Sequence, residues 1–268
     1  MNLERDRTVA AVHDYWNTHT LGLQYVTDRS LSPGSKAFFD HIRPWMNPYK
    51  FPWIMDRIER EARQLEGKHL LEIGCGMGYD SLEFLKRGVR VTAIDLTESA
   101  VQLTKAHFDV AGVKAQNVQV GNALSLPFAD NTFDAVWSNG VLHATSDTPR
   151  AIAEARRVLK PGGRAIISHF YRRPSWMWMV HRLGREPIEA HDADPPVNEF
   201  YTEREILDMF TGFRIVETAR EHHRALPVAK RGIKAMLYHG VFRPLYNVLP
   251  ESLALRWAYK FSVTAIKV

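Results

Sequence analysis

The chain has 268 residues, 45% of them hydrophobic and 24% charged, an ordinary balance for one large or two small folded domains that excludes a disordered chain. Its formal net charge is +5, but the longest basic runs are pairs such as Arg172-Arg173, so the surplus suits an anionic ligand or surface without demanding nucleic acid. A single cysteine, Cys75, excludes an intramolecular disulfide and a cysteine-based metal site. No apolar run approaches the roughly 18 residues of a membrane span, and the N-terminus lacks the apolar stretch of a secretory signal, so a reducing, cytoplasmic location is expected.

The first 66 residues are rich in aromatics and prolines, among them Tyr15, Trp16, Tyr25, Phe38, Phe39, Trp45 and Trp53. Apolar residues recur at helical spacing from Val9 to Trp16 and from Pro52 to Leu65, with the turn signals Ser32-Pro33-Gly34 and Asn47-Pro48 between them. From Lys68 to Tyr171 short apolar runs alternate with amphipathic stretches. His69 to Ile73 reads as a buried strand, Asp80 to Arg87 as a helix ended by Gly88, Val89 to Ile94 as a second strand and Glu98 to Ala111 as a second helix closed by Gly112. Val118 to Val120 and Asp134 to Ser138 are further strands. Thr148 to Leu159 is a helix stopped by Lys160-Pro161-Gly162-Gly163, and Arg164 to His169 is a fifth strand. Such alternation predicts an α/β fold, a doubly wound and mostly parallel sheet with helices on both faces.

Beyond Arg172 the pattern is less regular. A helix opens at Trp176-Met177-Trp178-Met179, His191 to Asn198 is polar, and Glu203 to Phe210 is amphipathic. Phe213 to Ala219 and Ala258 to Val268 suit two last strands, and Val228 to Trp257 is apolar, basic and helical in pattern. The expected organisation is a helical, aromatic-rich region over 1–66 and a sheet domain over 67–268, with helical insertions at about 172–210 and 227–257.

The turn after the first strand, Gly74-Cys75-Gly76-Met77-Gly78, runs into a helix. Glycine lets a backbone turn sharply and approach a ligand without a Cβ in the way, and the helix start behind it offers unpaired N–H groups. A dinucleotide fingerprint needs its third glycine one residue later, where this chain has Tyr79, and that weakens a NAD reading. The second strand ends in Asp95, placed to accept from both hydroxyls of an adenosine ribose. Its structural alternative is a helix cap, a role that Thr97 or Ser99 can fill instead.

Three blocks, LLEIGCGMGYDS, AIDLTES and GNALSLPFADNTFDAVWSNGVLHATSDTPRAIAEARRVLKPGGRAIIS, cover more than a third of the chain in a fixed order. In them the chain resembles the seven-stranded, class I S-adenosylmethionine (SAM)-dependent methyltransferases, in the subgroup acting on small molecules and quinones. The resemblance implies that Glu72 and the turn Gly74, Cys75, Gly76 and Gly78 face the methionine part of SAM and that Asp95 binds the ribose. It implies further that Leu96 packs on the adenine, that Asn122-Ala123 reads the adenine edge, and that Ser138 and Asn139 lie beside the sulfonium and the acceptor. The family usually has Asp where this chain has Asn122, whose amide can both accept and donate. The resemblance also makes the N-terminal region a lid over the cofactor.

Methyl transfer from a sulfonium is an in-line displacement, in which positioning and desolvation can carry most of the catalysis. A general base is needed only for an acceptor that is protonated at the working pH. His143, just after the fourth strand, is the candidate, with a structural histidine as the alternative. Tyr15, Trp16, His19 and Tyr25 of the lid, with His143, His169 and Tyr171, suggest an apolar, aromatic acceptor pocket with a few polar handles. Cys75, between two glycines, reads as a small residue that the turn tolerates, and no histidine pattern points to metal. A small-molecule acceptor is therefore expected. RNA methylation, or another transfer on the same fold, is the first alternative, although no RNA-binding module or marked basic tract favours nucleic acid. The second is a peripheral membrane or partner-binding protein that retains the fold, resting on the stretch from Val228 to Trp257. The oligomeric state is not legible.

Overall fold

The computed structural model describes residues 3–184, 195–222, 224 and 236–268. His191 to Asp194 of the polar segment and Val228 to Ala235 of the basic insertion lie outside the described residues. The chain opens with helix α1 (Leu3–Thr18), α2 (Lys36–Ile42), the single turn α3 (Asn47–Lys50) and α4 (Pro52–Leu65). Strand β1 (His69–Ile73) then leads through the glycine turn to α5 (Tyr79–Leu85), followed by β2 (Arg90–Asp95), α6 (Glu98–Ala111), β3 (Asn117–Val120) and β4 (Phe133–Asn139). After α7 (Thr148–Val158) and β5 (Leu159–Arg172) come α8 (Trp176–Gly184), β6 (Phe200–Tyr201), α9 (Glu203–Asp208), β7 (Phe213–Glu221) and β8 (Lys260–Lys267).

The strands form one sheet in the order β3-β2-β1-β4-β5-β8-β7, with the two-residue β6 beside β5. The five strands β3 to β5 run parallel, registered as Leu71 opposite Thr92 and Val136, whereas β8 is antiparallel to both β5 and β7. The strand pattern explains the two covered faces. Leu71, Ile73 and Val136 pack on one side against Ala151, Ile152, Ala155 and Val158 of α7. Leu70, Val91, Ala135 and Trp137 pack on the other against Ile54, Ile58 and Leu65 of α4 and Leu82 of α5. Helix α4 is thus part of the sheet's own core, while α1 and α3 reach the cavity at the ends of the strands and α2 packs against α6 and the start of α5.

Local chemistry sets several boundaries. Thr97 caps α6 by accepting from the Ala100 N–H, and Gly112 ends it at φ 67°. Asp147 caps α7 in the same way through the Arg150 N–H. The sheet departs from the seven expected strands by the short β6, too brief to show any periodicity. The turn Lys160-Pro161-Gly162-Gly163 falls within the span of β5 and shifts its pairing with β4 between Phe133 and Ala135. Helix α2 lies between the two turn signals, where no separate helix is predicted; Ser35, which accepts from the Phe38 N–H at 3.2 Å, starts it. No helix among the described residues is long and apolar enough to cross a membrane.

Candidate functional site

A cavity opens beyond the carboxyl ends of β1, β2 and β4, where open α/β sheets receive ligands. The glycine turn forms its floor. The Gly74 and Cys75 N–H groups both donate to the Ile94 carbonyl, at 2.8 and 3.0 Å, and tie the turn to β2. Gly74 sits at φ 79°, and a Cβ there would stand 2.3 Å from a methyl of Val141. Gly76, at φ 54°, is the reverse case: a Cβ would meet no atom within 4 Å, because this glycine fronts the open cavity. Gly78 starts α5 and faces Thr104 and Phe108 of α6.

Three carboxyl groups line the walls: Glu72 at the end of β1, Asp80 in the first turn of α5 and Asp95 at the end of β2. Burial raises the pKa of each, and for Glu72 the neighbouring Asp80 adds to it. Glu72 accepts a hydrogen bond from the Ser81 hydroxyl. Asp95 accepts from the Gly76 N–H at 3.0 Å and from the Thr97 N–H and hydroxyl at 3.0 and 2.9 Å. It is therefore not the cap of α6, but neither is it free: it already takes three of the roughly four bonds a carboxylate can accept. Asp80 Oδ2 accepts from the Trp137 indole and from the Asn139 amide, both at 2.9 Å.

That last bond fixes the Asn139 side chain. Its nitrogen points to Asp80, and its buried Oδ1 has no hydrogen-bonding partner among the described residues. An acceptor left so in a cavity wall takes a donor from a water or from a ligand. Asn122 also lines the cavity, with its Oδ1 accepting from the Leu124 N–H at 2.9 Å. Leu96 and Ala123 contribute apolar surface beside it. Ser138 is turned away, its hydroxyl donating to the Ile73 carbonyl at 3.0 Å. Cys75 lines the cavity too; burial pushes its thiol pKa well up, which opposes a thiolate role.

The opposite wall comes from the N-terminal helices, through Val12, Trp16, Thr20, Leu21 and Met46. Helix α1 is tied to α6 by polar contacts: His13 with Glu98 at 3.0 Å, the Ser99 hydroxyl with the Asn17 carbonyl at 3.1 Å, and Thr20 with Ser99 at 3.1 Å. Of the four lid residues singled out in the sequence, Trp16 alone reaches the cavity. Tyr15 stacks on His19 at 4.4 Å and Tyr25 on Trp45 at 5.4 Å.

His143, His169 and Tyr171 also stand outside the cavity lining. The His143 ring packs 4.2 Å from that of Tyr171, and both residues are buried. His169 belongs to a buried polar network with Glu221 and His222, each 3.3 Å from its Nε2. Burial of Glu221 would raise its pKa, but the His169 contact and the Arg57 charge outweigh burial and hold it at about 2. Asp80 was not among the candidates; in sequence it reads only as an acid in the first turn of a helix. No group of His, Cys, Asp and Glu among the described residues is arranged to hold a metal ion.

The donor set decides which ligand fits. Three carboxyl groups and an unpartnered amide oxygen repel a pyrophosphate and suit a cationic ligand rich in donors, with an ammonium, hydroxyls and an amino group. SAM has that chemistry.

A family model described as a methyltransferase domain matches residues 71–167. The chain is 38% identical to a ubiquinone/menaquinone biosynthesis C-methyltransferase of Cereibacter sphaeroides, over 56% of this chain and 68% of that protein. It is 28% identical to an O-methyltransferase of Aspergillus sclerotiorum, over 78% of this chain and 81% of that one. Several other quinone methyltransferases are matched over about half of their length. A solved SAM-dependent methyltransferase of Methanosarcina mazei shares the fold, with a TM-score of 0.56, 22% identity, and coverage of 79% of this chain and 97% of that one. The acidic cavity walls thus coincide with these likenesses, and the chain belongs to the class I SAM-dependent methyltransferases, among those that act on small molecules.

Proposed function

We propose that the cavity holds SAM along the ends of β1, β2 and β4, and a small apolar acceptor under the N-terminal cover. The observation that carries this is the division of the walls, carboxyl groups and glycine backbone on one side, Val12, Trp16, Leu21 and Met46 on the other. When bound, SAM supplies an electrophilic methyl group on a sulfonium. Glu72 and the Gly74 to Gly78 turn face its methionine part, with Cys75 serving only as a small residue of the turn. Asp95 spends its remaining acceptor capacity on the ribose. Leu96 and Ala123 pack on the adenine, and Asn122 reads its edge. Asn139, oriented by Asp80, turns its carbonyl oxygen to the methyl donor and acceptor. Ser138 acts at one remove by fixing the end of β4 to β1.

The chain's contribution to the chemistry is alignment and exclusion of water. Among the described residues no His, Lys or Arg lines the cavity, so His143 supports the wall and does not take the acceptor's proton. The lid, in this reading, comprises α1 to α3, because α4 is built into the core of the sheet. Calorimetric titration with SAM tests the assignment. The parent chain is expected to bind, and Asp95→Ala to lose about 10- to 100-fold in affinity, the worth of hydrogen bonds to a charged acceptor. A parent that binds no SAM, or a variant as tight as the parent, refutes it.

A further inference from the structure

The insertion before β8 carries two apolar faces where folding needs one. Its residues run through the π-helical turn Tyr238–Phe242 into the α-helical turn Arg243–Asn247. The inward face is aromatic. Tyr238, Phe242 and Tyr246 stack in series, with centroids 5.4 Å apart at each step, and join Tyr171, Trp176 and Tyr259 in one buried cluster. The outward face is aliphatic. Leu237, Val241, Leu245 and Val248 are 60%, 51%, 64% and 78% exposed. Their spacing of four, four and three residues sets them in one row along a helix. Met236 extends the row at one end. Scattered exposed apolar residues need no explanation, but a contiguous row does.

Charge points to what covers the row. From Arg224 to Trp257 the sequence has six basic residues, Arg224, Lys230, Arg231, Lys234, Arg243 and Arg256, against the single acid Glu251. The formal surplus of +5 in the whole chain therefore equals the surplus of this stretch, and the rest is balanced. A second copy of the chain packed on the aliphatic row across a two-fold axis would bury it but bring Arg224 and Arg243, beside the row, towards their own copies. An anionic surface with an apolar interior satisfies both features.

We propose that this insertion is a peripheral docking surface for an anionic lipid bilayer. The row Leu237, Val241, Leu245 and Val248 enters the boundary between headgroups and acyl chains, and Arg243 in the same helical run and Arg224, which donates to the Asn247 carbonyl, supply the attraction to the headgroups. The chain lies on the bilayer and does not span it. Aliphatic insertion and basic charge are separate signals, so each can be removed alone.

Sedimentation of the whole chain with vesicles tests this without reference to methyl transfer. Binding to phosphatidylcholine vesicles containing phosphatidylglycerol is expected, weakened at least about tenfold with phosphatidylcholine alone or at high salt. A Val241→Asp/Leu245→Asp double variant is expected to lose at least about tenfold on the anionic vesicles while keeping the parent's circular dichroism, since both side chains face solvent. No sedimentation of the parent with anionic vesicles, or a folded double variant that sediments like the parent, overturns the proposal. So does a parent dimer, seen by light scattering, that the double variant abolishes.

Discussion

Glu72, Asp80 and Asp95 owe their raised pKa values chiefly to burial, which disfavours the charged form of each. A bound cation favours that charged form, so binding SAM draws the three pKa values down and releases protons. The sign follows: affinity for SAM rises with pH until these groups are ionised in the free protein, and falls on acidification. S-adenosylhomocysteine lacks the sulfonium charge and is expected to show a shallower fall. Calorimetric titrations of both ligands over a pH series check this, and parallel curves would show that the carboxyl groups do not sense the sulfur. His143 provides the second prediction at this scale. Its ring is buried against Tyr171 and outside the cavity lining. His143→Ala should cost roughly 1–3 kcal/mol of stability and leave the pH profile of turnover unchanged. A lost acidic limb in that profile, the limb that titration of a general base produces, would restore the base role.

Among the elements, the glycine turn was the most legible and the most changed in meaning. The spacing of its glycines showed a close backbone approach, but not to what. Gly74 makes room for Val141 of its own chain, and Gly76 opens onto the cavity. Gly74→Ala should therefore destabilise twice, by about 1–3 kcal/mol for a side chain at φ 79° and by a similar amount, about 1–3 kcal/mol, for overpacking. Val141→Ala in the same chain relieves the second cost only. Denaturant unfolding of the parent and these two variants measures both shares, and an undiminished Gly74→Ala would mean that the turn relaxes. Helices α6 and α7 were readable because capping residues and amphipathic spacing agree in them. Helix α2 and strand β6 were not, since seven and two residues are too few for a period to emerge.

At the scale of the molecule, the cavity joins parts of the chain that fold by different means. Its carboxyl wall rests on a sheet with two covered faces, whereas Val12 and Trp16 of its apolar wall sit on α1, tied to α6 by a few polar contacts, and Leu21 and Met46 sit in a small cluster outside the sheet's core. The cover should thus open more readily than the sheet, and a ligand that touches both should close it. Amide hydrogen exchange with and without S-adenosylhomocysteine is expected to slow over residues 12–23 and to leave α4 unchanged. Equal protection of α1 in both states would make the cover a fixed wall.

The sequence by itself determined the alternation of strands and helices, the position of the turn, and the placing of Asp95 at the end of the second strand beside it. Those features lie in short-range order, where hydrophobic period, capping residues and glycine positions act on neighbours. Tertiary structure alone decided which side chains line the cavity. It brought Asp80 from α5 to Asn139 on β4, and it withdrew His143, His169 and Tyr171 into the wall. A period of two assigns a residue to a face of the sheet, but what covers that face comes from elements dozens of residues away. For the same reason Trp16, which lines the cavity, could not be told from Tyr15 beside it until α1 was seated on α6.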